Sequence, residues 1–246
     1  MRTVYFIKPN LSDFFTAVFD GYKDPTTYIT SQALYQTRLD DSFVSVQADE
    51  EKTARVKKKL QESDYYAYSE IKHILSSNNP QKEQIAFEYL KLVIKYGKSA
   101  REKLSLPAVR AAMDEVARVR LEVHRLHGFL RFQECENGIY YGVCAPDNDV
   151  LELLLPHFVA RFKTLSFAIH DENRKKAALY NGKNAVVVAV ETANFTRSEK
   201  EKQIVALWKK YYHTVAIPDR KNTRQMKNYM PTRYWKHLIE KDGDDV

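Results

Sequence analysis

Only two cysteines, Cys135 and Cys144, occur in 246 residues. That excludes a disulfide scaffold, a four-cysteine zinc site and the three closely spaced cysteines of a radical-SAM iron–sulfur cluster. Glycine is scarce too, at seven residues. No GxxxxGK(S/T) phosphate loop, GxGxxG dinucleotide turn or GxSxG nucleophile elbow is present, so no cofactor is expected. Long hydrophobic runs are missing: the apolar stretch 185–190 falls far short of the roughly 20 residues of a membrane span. The opening MRTVYFIKPNLSDFF lacks the basic, apolar and small-residue order of a signal peptide. The expectation is a soluble, cytoplasmic protein with no membrane contact.

Hydrophobic residues make up 44% of the chain and aromatic residues 12%, enough for a packed core rather than a disordered chain. The charge is uneven. Between Leu207 and His237 eight cations (Lys209, Lys210, Arg220, Lys221, Arg224, Lys227, Arg233, Lys236) face one acid, Asp219, so this stretch carries the protein's entire net charge of +7. Trp208, Trp235, Tyr211, Tyr212, Tyr229 and Tyr234 are interleaved with these cations. Clustered cations neutralise phosphates, and flat rings offer unpaired bases a stacking surface. This pattern points to nucleic acid, although aromatics at helical spacing also build cores.

Periodicity divides the chain. A strand over 3–7 leads to a helix capped by Ser12 or Asp13 and ended near Gly21; the alternation in 43–46 suits a second strand beside the first. From about 49 to 126 the pattern is helical, with Ser63 capping one helix, Gly97 ending another, and Pro107 suited to the first turn of the last. At Gly128 the period changes to two. Strands over 129–134 and 139–145 form a hairpin through Asn137-Gly138, read as a two-residue turn. That register pairs Glu136 with Ile139, Cys135 with Tyr140 and Arg131 with Cys144, so the cysteines remain two reduced thiols. It sets Leu130, Phe132, Tyr141 and Val143 on one face, and Phe129, Arg131, Gln133, Tyr140 and Gly142 on the other.

A helix from Asp149, with Glu152 completing a capping box, precedes a meander of strands over 165–170, 176–180 and 185–190. Thr196 and Glu199 supply the next box, opening a helix with Ile204, Trp208, Tyr211 and Val215 on one face; Trp208 and Tyr211 look like core. The fold class is therefore α+β: an antiparallel sheet of hairpin, helix and meander covered by helices, with a helical insertion and basic C-terminal helices. A single domain over 1–246 is expected, comprising a helical lobe (about 49–126), the sheet (about 128–190) and the basic helices (about 196–238).

One turn, His170-Asp171-Glu172-Asn173-Arg174, gathers an imidazole, carboxylates and a guanidinium suited to acid–base work or phosphate binding; His170, Asp171 and Arg174 are the catalytic candidates. His124 and His127 are spaced for a metal, but without an obvious third ligand no metal site is assigned.

Several blocks in one order carry a family resemblance: TAVFDGY at 16–22, GFLRFQE at 128–134, PHFVARF with the following IHDENR, and IPDRKNTRQMKNYMPTRYWKHLIE at 217–240. The chain resembles a bacterial family of DNA-metabolism proteins, a domain of unknown function. Its members accompany a radical-SAM DNA modification or repair protein and are sometimes fused to a uracil-DNA-glycosylase-like domain. The resemblance implies DNA and a radical-SAM protein as partners, and it implies no reaction.

The combined expectation is a DNA-binding accessory protein in DNA repair or modification. Arg131, Arg220, Lys221, Arg224, Lys227, Arg233 and Lys236 would contact phosphates, and Tyr234, Trp235 or Phe129 would stack. The alternatives are a DNA-processing enzyme of glycosylase, lyase or nuclease type, and a scaffold that docks the partner protein.

Overall fold

The computed structural model describes residues 2–32, 36, 38–191, 195–217 and 222–241. These fall into two compact units, Met1–Leu121 and Glu122–Val246.

In the first unit, β1 (Arg2–Phe6) is the centre of a three-stranded sheet, flanked in parallel by β2 (Thr27–Thr30) and β3 (Asp41–Ser45). Parallel neighbours need a crossover, which α1 (Leu11–Gly21) supplies between β1 and β2. The cap of α1 lies earlier than expected: the Asn10 side chain accepts from the Asp13 amide at 2.8 Å, and Asp13 accepts from the Lys8 amide. Helices α2 (Glu50–Ser63), α3 (Ala67–Ser76) and α4 (Lys82–Tyr96) follow, then a 3-10 turn and the start of α5 (Pro107–Phe129). Ser63 ends α2 instead of capping α3; Asp64 takes the turn, accepting from the Tyr66 amide. Gly97 ends α4 at φ 59°, where a residue without Cβ is unstrained. Phe14, Phe15, Leu60, Ile71, Ile74, Tyr89 and Leu90 fill the core.

The second unit is built on a five-stranded sheet in the order β4-β5-β6-β7-β8, with β4 (Phe132–Glu134), β5 (Tyr140–Cys144), β6 (Phe167–Asp171), β7 (Lys176–Tyr180) and β8 (Ala185–Ala189). The α+β class holds, with one refinement to its antiparallel sheet. The junction of β5 with β6 is parallel because α6 (Leu151–Phe162) carries the chain across the sheet between them. Phe132, Phe158, Phe162, Phe167 and Tyr180 interlock where α6 covers one face, with ring centroids 4.7–6.5 Å apart.

The hairpin register differs from expectation by one residue: Gln133 faces Tyr141, and Phe132 faces Gly142. Gly138 has φ 78° and donates to the Cys135 carbonyl, while Cys135 donates to Ile139, so the loop holds three residues, not two. A slip of one residue exchanges faces. Tyr141 and Val143 therefore share a side with Arg131 and Gln133, while Tyr140 and Gly142 lie under α6 with Phe132. A Cβ at Gly142 would press on the Phe132 ring at 3.2 Å. Phe129 belongs to the end of α5, packed 5.4 Å from Tyr234, and not to the strand. Both cysteines are buried and free, and burial raises both thiols.

Two further caps move. Val150 precedes α6 without a side-chain cap, and Asp149 pairs with Lys176 instead of Glu152's helix end. Ser198 caps α7 (Glu199–Val215) by accepting from the Glu201 amide. Trp208 and Tyr211 of α7 are exposed, not core, and stack on each other at 5.7 Å. Among the described residues no helix is long and apolar enough to cross a membrane.

Candidate functional site

The sheet face opposite α6 carries Arg131, Gln133, Tyr141, Val143, Ala168 and His170, set by alternation along β4, β5 and β6. Segment 195–198 returns along the outer edge of β4: Glu136 donates to Thr196, Ser198 donates to Glu134, and Cys135 bridges Arg197. The stretch 236–239, reached through α8 (Thr223–Tyr229) and a 3-10 helix (Thr232–His237), passes over the same face. Between these lies a recess of about 130 Å³, lined by Arg131, Gln133, Tyr141, Phe195, Arg197, Lys236 and His237 among others. Sites for drug-sized molecules run to roughly 300–1,000 Å³, so this one admits a fragment such as a phosphate or one ring.

Its polar groups are mostly held. The Arg197 Nε donates to Gln133 Oε1 at 2.9 Å. The Tyr141 hydroxyl and His170 Nδ1 share a hydrogen bond of 2.7 Å, and the buried His170 Nε2 has no partner among the described residues. Glu172 accepts from Lys236 at 2.8 Å and lies 3.7 Å from His237 Nε2. Burial acts to raise the Glu172 carboxyl; the Lys236 hydrogen bond, with His237 and His170 nearby, outweighs it and leaves the pKa lowered. Burial lowers His237, although Glu172 pulls it the other way.

The sequence candidates separate. His170 and Asp171 are adjacent in β6 and so point to opposite faces. Asp171 is 0% exposed; its Oδ1 accepts from the amides of Asn173 and Arg174, and its Oδ2 from Arg174 Nη1 at 3.1 Å. Arg174 also donates to the carbonyls of Pro146 and Asp147. The pair closes a turn, and only His170 belongs to the recess side.

Among the expected phosphate ligands, Arg131 grips Glu240 with two hydrogen bonds, of 2.6 and 3.2 Å, and donates to the Gly128 carbonyl at 2.7 Å. Arg233 lies outside the recess, paired with Asp147 and Glu122 and resting over the Tyr234 ring. Tyr234 is buried, an anchor against Phe129 with no face open to a base. Trp235 is partly buried, donates to the Met230 carbonyl and has Lys241 over its ring. Lys236 is exposed at the rim, and Arg224 and Lys227 are exposed on α8. Arg220 and Lys221 lie outside the described residues.

Composition did not single out Arg197, Phe195 or His237. The signal available was the polar alternation of β4, which required a covering segment, but not which segment. Among the described residues no group of three or more metal-ligating side chains occurs. His127 stacks on His157 at 4.0 Å instead, and its burial lowers its pKa.

Glu240 is the carboxylate that docks the C-terminal stretch. Burial acts to raise its pKa, but hydrogen bonds from Arg131 and Trp208 leave it below its ordinary value. A carboxyl depressed in the folded state stabilises fully above its unfolded pKa, about 4.3, and loses that contribution as pH falls through the folded value. Both tryptophans, Trp208 and Trp235, lie in this stretch, so their fluorescence reports its docking. An acid titration is expected to show a tryptophan transition below about pH 4.3 that Glu240→Gln removes. The same transition in both proteins would refute this role for Glu240.

A model of the family described as a domain of unknown function, DUF4130, matches residues 80–240, more than half of the chain. None of the curated proteins compared with the chain matches it.

Proposed function

We propose that this chain, which belongs to the DUF4130 family, is a DNA-binding accessory protein in DNA repair or modification, acting with a radical-SAM partner. The observation that carries the reading is the recess. Arg197, whose Nε rests on the neutral Gln133, and Lys236, whose pair with Glu172 lies at the surface, bring positive charge to one concavity where Arg131 is already neutralised by Glu240, and Phe195, partly exposed and 4.3 Å from the Tyr141 ring, offers a flat apolar surface beside it. Cations track a phosphate backbone while a ring stacks a base, a combination suited to single-stranded or locally opened DNA. Arg224 and Lys227, exposed on α8, supply two further cations. The radical-SAM partner comes from the resemblance, since two cysteines leave this chain without such a cluster of its own.

Fluorescence anisotropy with single-stranded, duplex and lesion-containing DNA tests the proposal. Affinity is expected to fall as salt rises, and Arg197→Ala or Lys236→Ala should each make the slope of log affinity against log salt shallower by about one unit. Absence of salt-dependent binding to every DNA would sink it. A second reading, a DNA-processing enzyme, is favoured only by His170, whose Nδ1 is bonded to the recess residue Tyr141 and whose buried Nε2 has no partner among the described residues. A His170→Gln protein as active as wild type on a lesion panel would remove that assignment.

A further inference from the structure

Some donors of the recess are unengaged, and their surroundings decide what they suit. Gln133 stands opposite Tyr141 in the β4–β5 ladder, on the face away from α6. A guanidinium only donates, so Gln133 turns its Oε1 to Arg197 Nε and its Nε2 the other way. That Nε2 and both Nη groups of Arg197 have no hydrogen-bond partner among the described residues, and none of the three is sealed from solvent. The walls beside these donors are apolar: the rings of Tyr141 and Phe195, with centroids 4.3 Å apart, and Val143, Leu238 and Ile239. Charge inside the recess is nearly balanced, because Glu240 holds Arg131 and the Lys236–Glu172 pair lies at the surface, which leaves Arg197. A phosphate bound there would set charged oxygens against Val143 and Ile239, away from water, at a large cost. A flat ring with acceptors along one edge meets both features, its faces on the walls and its edge on the donors.

From the unengaged donors, the apolar walls and the size of the recess, we infer that it holds one unstacked pyrimidine base of a single strand, whose O2 edge accepts from Gln133 Nε2 and Arg197. The inference rests on the DNA-binding reading above and narrows it to a substrate class. Thymine and cytosine are single rings that share the O2 acceptor, whereas the fused second ring of a purine overfills a recess of about 130 Å³. Bases taken out of a stack are read in this manner, by hydrogen bonds to an edge and by aromatic and apolar contact with the ring. Lys236, with its side chain 72% exposed at the rim, is left for the flanking phosphate, which positions the strand without reading it.

Fluorescence anisotropy at fixed salt reads this with single strands of abasic residues that carry one central base: thymine, cytosine, adenine or none. The wild-type protein is expected to bind the thymine and cytosine strands about tenfold more tightly than the adenine and baseless strands, the contribution of one stacked base. Gln133→Glu keeps an acceptor for Arg197 and replaces the unengaged donor by a second acceptor, so the affinity ratio of thymine strand to baseless strand should fall towards one. Taking the ratio cancels the general weakening that an added acid causes. Phe195→Ala lies in an exposed segment, leaves the sheet untouched and should lower the same ratio. Equal affinity for all four strands with salt dependence intact, as a recess that takes phosphate would give, overturns the inference and leaves the DNA-binding reading standing. So does a preference for adenine, or a thymine preference unchanged in both variants. No salt-dependent binding to any strand would remove the underlying reading and the inference together.

Discussion

Glu122→Ala is expected to destabilise the protein by about 3–5 kcal/mol, as loss of one partner from a buried charged network does. Glu122 is 2% exposed and accepts from the Asp147 amide at 2.9 Å, the Asn148 amide at 2.8 Å and Asn148 Nδ2 at 2.6 Å. Arg233 and the Tyr234 hydroxyl approach the same carboxylate at 3.4 Å. One side chain thus ties the loop entering α6 to the C-terminal 3-10 helix. Its removal takes this acceptor from the amide and carboxamide of the buried Asn148 and from the part-buried Asp147 amide, and a donor losing its acceptor away from water costs about 1–3 kcal/mol. Arg233→Ala should cost much less, within about 1 kcal/mol, because that cation is partly exposed and its second partner Asp147 is at the surface. Urea unfolding separates the two through their midpoints at unchanged slope. If both variants shift the midpoint equally, Glu122 does not hold the network.

Much of this architecture is legible in the residues. The meander over 165–190 emerges with boundaries within about two residues, because strand alternation, the polar turn at Asp171–Arg174 and the Asn181-Gly182 turn act locally. Pairings decided at a distance are not. Strand β2, Thr27–Thr30, sits in a polar stretch, and its buried Thr27 is satisfied at a distance, its Oγ1 donating to the Gly21 carbonyl at 2.9 Å. The parallel junction of β5 with β6 depends on where α6 lays the chain down, which no turn residue encodes. In the β4–β5 hairpin, Asn137-Gly138 marks a turn correctly, while the loop length that fixes register is set by the left-handed Gly138 and by Cys135. That one-residue difference moved Tyr141 from the expected core face to the recess.

The basic stretch illustrates a second limit. Counting charges located the positive surface between 207 and 237, but not which cations were already engaged. Arg131, Arg233 and Lys236 pair with Glu240, Glu122 and Glu172, acids 64 to 111 residues away. Charge counted along a sequence marks where a field can arise. The field that remains for a ligand depends on tertiary partners, here leaving Arg224 and Lys227 exposed on α8 and Arg197, which rests on the neutral Gln133, in the recess.

Asp171→Asn separates a structural carboxylate from a catalytic one. In the structure Asp171 is wholly buried and acts only as an acceptor, from two backbone amides and the Arg174 guanidinium. An asparagine of the same shape has one acceptor oxygen. Its NH₂ must therefore face either the amides of Asn173 and Arg174 or the guanidinium, donor against donor. The expected loss is about 2–4 kcal/mol, the desolvation of the stranded donors together with a weakened buried pair to Arg174. Arg174 would retain the carbonyls of Pro146 and Asp147, so the turn loosens without reversing. DNA affinity and its salt slope, measured where the variant is still folded, should match wild type, because Asp171 lies on the α6 side of the sheet and the recess on the other. Unchanged stability with lost activity on a DNA lesion would reverse the assignment and place Asp171 among the reacting groups.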